Sequence, residues 1–353
     1  MANVLFLEAP VGVGFSYTDD PSYYWSDDTT ADNNAQAIKY FFDVVFPTYK
    51  NNEFFVTGES YAGVYGPTLS VRLVQMIDAG QLDLNFKGMA IGNGILNEYL
   101  QFNSEIALQY GHGFNGVDDW NTLSRDCTGG LSNPIYYDYY NAPKNSSCFM
   151  VSERIVDEFD RVIADPYNIY QDCYLWPFKF GSRSSQKTAG RRRTAMLRRR
   201  TALAEAMDAA QTQPLFTDNG NQSWYGSTDA FHGFPCFNDD SMQTYLNRPE
   251  VMAAIHAKLV HRKQWTDCSD LVYHQQIKYY DMSSTIHSIM NSKTYTSNNM
   301  RLMFYNGDVD TVCQFLGDQW FIENLVTERN LTASCICQNY CSCIHNEPIT
   351  IAH

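Results

Sequence analysis

The stretch from Phe54 to Met76 constrains the fold more than any other part of the chain. The apolar run Phe54–Thr57 is followed at once by the turn Gly58-Glu-Ser-Tyr-Ala-Gly63, and apolar residues then recur at helical spacing as far as Met76. A strand that turns directly into a helix lifts the corner residue above the sheet edge and directs backbone N–H groups towards it. The pattern therefore predicts a strand–turn–helix unit with Ser60 at its corner.

Short apolar runs alternate with helical patterns in other parts of the chain as well. Buried strands are predicted at Asn3–Glu8, Lys87–Gly92 and Arg301–Tyr305, and helices at Ala31–Phe46 and Phe315–Val326. Strands that alternate with helices are joined by crossover connections, which build a parallel sheet covered on both faces. The sequence thus predicts an α/β fold with a mostly parallel central sheet.

The alternation is interrupted in the middle of the chain and lost at its end. Residues 97–240 predict a cap inserted into a core made of residues 1–96 and 241–330. Within the cap, the arginine-rich run 183–200 is expected to be an exposed, protease-sensitive loop. Residues 331–353 form a cysteine-rich tail without apolar periodicity, which we can assign to no strand of the sheet and expect to be locally cross-linked or disordered.

Composition and charge exclude several classes of partner. The chain has a formal net charge of -14, which disfavours nucleic acids and anionic membranes because both bind mainly through clustered Lys and Arg. No stretch approaches the roughly 20 apolar residues that a membrane helix needs. The cysteines fit no zinc-ligand spacing, so we predict neither a metal nor a cofactor.

The cysteines and glycosylation motifs predict a secretory protein. Ten cysteines are many for a cytosolic enzyme and favour disulfides. Three Asn-x-Ser/Thr motifs, at Asn145, Asn221 and Asn330, agree with glycosylation on that route. We expect a lysosomal or extracellular location. The first residues show no features of a signal peptide, so we also expect that some sequence is missing.

Several motifs in a fixed order resemble those of the serine carboxypeptidases. The turn that contains Ser60 is similar to the family's nucleophile motif, and four further segments match in the same order: Asn3–Tyr17, Ile91–Gly94, Tyr245–Val251 and Tyr305–Asp310. The resemblance covers about residues 3–180 and 230–326. It implies an α/β-hydrolase fold with an inserted cap, and an enzyme that releases C-terminal amino acids from peptides through an acyl-enzyme at acidic pH.

The resemblance also implies roles for the residues around the corner. Ser60 would be the nucleophile, the backbone N–H of Tyr61 would stabilise the oxyanion, and Asp310 would orient the base. From the residues alone, Ser60 could instead cap a helix. Asp308 is an alternative acid, although the acid more often lies four or five residues beyond the strand, where Asp310 stands.

Glu59 is implied to recognise the free carboxylate of the substrate. Two carboxyl groups in contact cannot both be ionised cheaply, so one must keep its proton and binding should weaken as the pH rises. The alternative interpretation is that Glu59 only stabilises the start of the following helix.

The resemblance further implies a cysteine pattern. Cys313 would be a thiol beside the active site and outside any disulfide. Two disulfides would close loops of the cap: Cys127 with Cys148 and Cys173 with Cys236.

Two parts of the family's site have no match in this sequence. The segment that supplies the second oxyanion N–H is absent, and neither His345 nor His353 lies in the family's histidine context. The other histidines fall outside the expected order of Ser, Asp and His. We therefore expect impaired activity. Alternatives are a non-catalytic binding protein and an acyltransferase of the same family. The expected partner is a peptide or protein with a free C-terminus, and a homodimer is possible.

Overall fold

The computed structural model describes most of the predicted core. Residues 2–130, 133–159, 166–170, 242–266 and 279–329 are described with their side chains. For residues 160–162, 173–174, 234–235, 240–241, 333–338, 340–345 and 349–352 the backbone alone is described. Several predictions fall outside these ranges: the basic loop 183–200, Cys236, Asn221, Asn330, His232, His274 and His353.

The described strands form one six-stranded sheet and one two-stranded sheet. The strands are β1 (Phe54–Ser60), β2 (Phe86–Gly94), β3 (Cys173–Tyr174), β4 (Phe234–Pro235), β5 (Arg301–Tyr305), β6 (Ala333–Gln338), β7 (Tyr340–His345) and β8 (Ile349–Ala352). The large sheet has the order β1-β2-β5-β8-β7-β6. It is parallel from β1 to β8 and antiparallel through β7 and β6. The predicted α/β class with a mostly parallel sheet is confirmed.

Ten described α-helices accompany the strands. They are α1 (Asp27–Tyr40), α2 (Ala62–Asp78), α3 (Glu98–Gly111), α4 (Val117–Thr128), α5 (Ser147–Val162), α6 (Asp240–Leu246), α7 (Pro249–Ala254), α8 (Ser283–Met290), α9 (Lys293–Ser297) and α10 (Phe315–Glu328). Short helical turns occur at Phe41–Val45, Pro47–Tyr49 and Pro134–Tyr136. No helix in the described ranges is both long and apolar enough to cross a bilayer.

Two hydrophobic clusters organise these elements. The larger one joins the first strands to the helices around them, with Leu73, Phe86 and Leu302 fully buried. The smaller one lies in the predicted cap and includes Leu123, Tyr139 and Ile155. The predicted disulfide between Cys127 and Cys148 is present beside this second cluster, with their Cα atoms 4.7 Å apart. The exact domain boundaries stay predictions.

Two expectations from the sequence are wrong. Asn3–Glu8 is not a strand, and its apolar side chains are exposed, with Phe6 at 90%. An apolar run becomes a strand only when a neighbour accepts its backbone hydrogen bonds, and in the described sheet β1 pairs with β2 alone. Conversely, the cysteine-rich tail contributes β6, β7 and β8 to the sheet. Its pairing depends on the distant strand β5, which local periodicity cannot reveal.

Candidate active site

Ser60 lies at the predicted corner between strand and helix. It is the last residue of β1, α2 begins at Ala62, and the φ of Ser60 is 62°, in the left-handed region that side chains rarely adopt. Gly63 allows the corner to form because a Cβ there would lie 2.3 Å from the backbone nitrogen of Ile95. The residue at the cap of α2 is Tyr61, and its side chain makes no capping hydrogen bond. Ser60 is therefore presented by the corner and does not occupy the cap.

The turn after β5 buries Asp310 and leaves Asp308 exposed. Asp310 is 8% exposed, and its carboxylate accepts hydrogen bonds from the backbone N–H groups of Val312 at 2.9 Å and Cys313 at 3.3 Å. Burial raises the pKa of Asp310 to about 6, and the negative charge of Glu59 acts in the same direction. This difference in burial favours Asp310 over Asp308 as the acid of the site.

Cys313 connects the corner to the acid. It is a buried thiol that takes part in no disulfide, and its Sγ lies 3.9 Å from the Oγ of Ser60. Because its backbone N–H donates to Asp310, Ser60 and Asp310 lie at the same edge of the sheet. The catalytic roles of these residues stay predictions.

The neighbours of Ser60 in sequence differ in their surroundings. Glu59 is exposed and pairs with Gly92 in the β1–β2 register. The hydroxyl of Tyr61 donates to the carboxylate of buried Asp27, with both oxygens at 3.1 Å, and its ring packs edge-on against another tyrosine. Tyr61 is thus fixed through its side chain, while its backbone begins α2 directly after Ser60.

Asn93 holds the turn between β5 and α10, residues 306–314, against the end of β2. We call this segment the acid turn because it contains Asp310. Its side chain accepts a hydrogen bond from the N–H of Gly307 at 2.9 Å and donates to the carbonyl oxygens of Gly307 at 3.1 Å and Cys313 at 3.0 Å. Its φ of 38° is also left-handed. The sequence singled out the segment that contains Asn93 but assigned it no role. Its role in holding the turn follows only from the folded structure, because Gly307 and Cys313 are distant from Asn93 in the sequence.

A second set of polar side chains behind the turn was missed entirely. Gln101 on α3 and Gln314 exchange hydrogen bonds between side chain and backbone, at 3.0 Å and 2.6 Å. Gln101 also donates to buried Asp318 at 2.9 Å. Burial raises the pKa of Asp318 to about 7, and the charge of Asp310 acts in the same direction. No pattern in the sequence marks these residues, because their partners are more than two hundred positions apart.

The segment 166–170 from the predicted cap also contacts the acid turn. The N–H of Ile169 donates to the carbonyl of Val309 at 3.2 Å. The N–H and hydroxyl of Thr311 both donate to the carbonyl of Pro166 at 2.8 Å. These bonds flank Asp310 on both sides, so this segment of the predicted cap supports the acid turn.

The histidines with described interactions bind away from the corner. His112 contacts the hydroxyl of Tyr170 at 2.6 Å, His261 contacts Asp19 at 2.7 Å, and His287 lies 3.5 Å from Glu328. None of these three is hydrogen-bonded to Ser60 or Asp310. The described contacts therefore give none of these three histidines the position of a base for Ser60.

The remaining predicted sites are only partly described. Asn145 is exposed, as a glycosylation site must be. The backbone of Cys173 pairs with Phe234 in the short β3–β4 sheet, while its predicted partner Cys236 lies outside the described residues.

Comparisons with known proteins point to one family. A family model for serine carboxypeptidases matches residues 1–335. The chain is 31% identical over 347 residues to serine carboxypeptidase ctsa-3.2 of Caenorhabditis elegans, covering 92% of this chain and 63% of the relative. It is 33% identical over 332 residues to the lysosomal protective protein of Mus musculus, covering 92% and 62%.

A solved structure is also similar. It is a prohormone-processing carboxypeptidase from Saccharomyces cerevisiae, with a TM-score of 0.49 and 14% sequence identity, covering 98% of this chain and 68% of that one. The chain spans less than two thirds of the length of the two curated relatives. The family match extends over the corner, the acid turn and the whole predicted cap, and it brings with it the α/β-hydrolase fold. The chain therefore belongs to the serine carboxypeptidase family.

Proposed function

We propose that this site carries out serine carboxypeptidase chemistry on peptides with a free C-terminus. The observation that carries the proposal is the position of Ser60, on a left-handed corner and linked through Cys313 to the buried acid Asp310. An α/β-hydrolase nucleophile needs such a corner because its oxygen must approach the substrate while backbone N–H groups face the developing oxyanion. Family membership supports the assignment of the reaction.

In the proposed reaction, the Oγ of Ser60 attacks the carbonyl carbon of the last peptide bond. The tetrahedral oxyanion is stabilised by the N–H of Tyr61, and the C–N bond breaks as the leaving amino acid takes up the proton that Ser60 gave up. Water then hydrolyses the Ser60 ester, which restores the hydroxyl and releases the shortened peptide. Glu59 binds the substrate carboxylate in its protonated form, which favours acidic pH. Its exposed position beside the corner supports this role.

The activity of this chain is expected to be impaired. Ser60 is a weak nucleophile unless a base removes its proton, and the described histidines with known contacts bind elsewhere. Loss of one triad member typically lowers the rate by several orders of magnitude. The same observation favours a second candidate, a non-catalytic binding protein that keeps the carboxypeptidase fold.

We further propose a location in the secretory pathway, lysosomal or extracellular. One relative is named the lysosomal protective protein. The disulfide between Cys127 and Cys148 supports an oxidising route.

A labelling experiment tests the proposed chemistry. The protein is treated at pH 5 with a fluorescent alkylphosphonate, which forms a stable ester with an activated serine. Slow labelling of the wild type, located on the peptide that contains Ser60 and lost in Ser60→Ala, is the expected result. Ser146→Ala removes a hydroxyl far from the corner in sequence and should label as the wild type does.

A substrate experiment separates the candidate functions. An N-blocked dipeptide and its C-terminal amide are incubated with the protein, and the released amino acid is measured by mass spectrometry. Release from the acid and not from the amide supports a carboxypeptidase. A new ester in the presence of an alcohol would identify an acyltransferase. Binding of the dipeptide without turnover or labelling would favour the non-catalytic protein and contradict the proposed reaction.

A further inference from the structure

The proposed reaction makes no use of the buried carboxyl group of Asp318. This residue lies in the first turn of α10 and is 3% exposed. One oxygen accepts hydrogen bonds from the N–H of Gly94 at 3.1 Å and from the side chain of Asn306 at 2.9 Å. The other accepts from the side chain of Gln101 at 2.9 Å. A buried carboxyl with three donors is costly to assemble, so its position requires an explanation.

The donors belong to the two halves of the candidate active site. Gly94 ends β2 and is the register partner of Ser60 at the end of β1. Asn306 is the first residue after β5 and begins the turn that carries Asp310. One side chain, that of Asp318, therefore contacts both the strand beside the nucleophile and the start of the acid turn.

Close packing between α10 and α3 fixes the position of Asp318 relative to Gln101. A Cβ on Gly317 would lie 2.7 Å from the side-chain Cδ of Gln101 and 2.9 Å from its Cα, so only glycine lets α10 approach α3 this closely. The amide orientation of Gln101 is fixed independently, because its Oε1 accepts the N–H of Gln314 at 3.0 Å. The Nε2 must then face Asp318.

We propose that Asp318 is a positioning residue that holds the acid turn at a fixed place relative to the nucleophile corner. It touches neither Ser60 nor the peptide in the proposed reaction. It acts by joining Gly94 to Asn306 and by anchoring both to α3 through Gln101. Its consequence for catalysis rests on the proposed function, whereas its effect on the acid turn does not.

Cys313 provides a local reporter of the acid turn. It is buried at 1% exposure, lies within the turn, and is a thiol. Trypsin releases it in the peptide 302–329, in which it is the one cysteine, so its alkylation is read separately from that of other cysteines. The rate of modification by iodoacetamide in the folded protein therefore measures how often the turn opens.

The test compares the whole chain with three variants. Asp318→Asn keeps the shape but must turn an NH₂ group towards at least one of the donors, and Asp318→Ala removes all three hydrogen bonds. We expect Cys313 to be alkylated roughly 10-fold faster in Asp318→Asn and faster still in Asp318→Ala, as local opening becomes easier. Glu323→Gln removes an exposed carboxylate from the same helix and should leave the rate unchanged.

A further variant separates a local effect from general loss of stability. Ile155→Val weakens the second hydrophobic cluster, away from the acid turn, and should lower the melting temperature without exposing Cys313. Wild-type protection of Cys313 in Asp318→Asn would overturn the proposal. So would equal acceleration in Asp318→Asn and Ile155→Val, because the change would then be global.

Phosphonate labelling of Ser60 is measured on the same samples and separates the two proposals. A wild type that is not labelled, together with Cys313 exposed in Asp318→Asn, would reject the reaction and retain the positioning role. A labelled wild type, with Cys313 equally protected in the wild type and in Asp318→Asn, would retain the reaction and reject the positioning role. Where turnover is measurable, Asp318→Asn should lower kcat and leave KM unchanged.

Discussion

The nucleophile corner and the acid turn reach the same edge of the sheet by different physical means. The corner depends on backbone conformation and close packing: Ser60 has a left-handed φ, and Gly63 lies against the backbone of Ile95. The acid turn depends on buried polar side chains, with Asn93 and Asp318 bonded to it from outside. Local backbone conformation thus presents the proposed nucleophile, while a long-range hydrogen-bond network positions the proposed acid.

The largest effect is expected from the acid itself. If the wild type is labelled, a base reaches Ser60, and Asp310→Asn should then lower the rate of phosphonate labelling by about 10³-fold or more because that base loses its orienting partner. Asp308→Asn, in the same turn but exposed, is the matched control, and its labelling rate should stay within about a factor of two of the wild-type rate. Equal loss in both variants would mean that Asp308 and Asp310 have been assigned wrongly.

The corner should be the more sensitive of the two regions to added volume. Gly63→Ala places a methyl group 2.3 Å from a backbone nitrogen, and we expect it to lower the free energy of unfolding by about 3 kcal/mol. Gly111→Ala, with no atom within 4 Å of the new Cβ and an ordinary helical backbone, should be neutral or stabilising. Denaturant titration of both variants measures the difference. A stable Gly63→Ala protein would refute close packing at the corner.

The acid turn should instead be sensitive to pH. The raised pKa values of Asp310 and Asp318 mean that the folded protein binds these protons more tightly than the unfolded chain does. Their contribution to stability is fully present below about pH 4 and is lost as the pH rises to about 7. Asp318→Asn removes one of these groups.

The stability difference between wild type and Asp318→Asn should therefore shrink as the pH rises, by about 3 kcal/mol between pH 4 and 7. Melting temperatures across this range measure it. Glu323→Gln should follow the wild-type curve. Parallel curves for wild type and Asp318→Asn would show that the carboxyl does not titrate in that window.

The smallest effect concerns the side chain that fixes Tyr61. Tyr61→Phe removes the hydroxyl that donates to buried Asp27, and we expect a loss of about 1–2 kcal/mol in the free energy of unfolding. Tyr40→Phe, at an exposed tyrosine, should leave the free energy of unfolding unchanged. If the two variants unfold at the same denaturant concentration, the contact with Asp27 contributes nothing to the corner.

The same difference explains what the sequence could predict. The corner at Ser60 is local, because a strand, a turn and a helix follow each other within one short stretch, and it was predicted correctly in position. The run Asn3–Glu8 has equally clear strand composition, yet it is exposed, because composition cannot supply a pairing partner.

Asn93, Gln101 and Asp318 could not be assigned for a related reason. Each bonds to residues far away in the chain, and polar side chains carry no periodic signal. The strands of the cysteine-rich tail were missed likewise, since β8 pairs with β5 across more than forty residues. The family resemblance supplied the acid Asp310 but not the network that holds it.

The most direct test of the account joins the two regions covalently. In Ser60→Cys, the new thiol lies next to Cys313, because the wild-type oxygen is 3.9 Å from that sulfur. Mild oxidation should give a disulfide that links the tryptic peptides 51–72 and 302–329, and Thr57→Cys, exposed on the same strand, should give none. Absence of the link in Ser60→Cys, or equal linking in Thr57→Cys, would contradict the shared site.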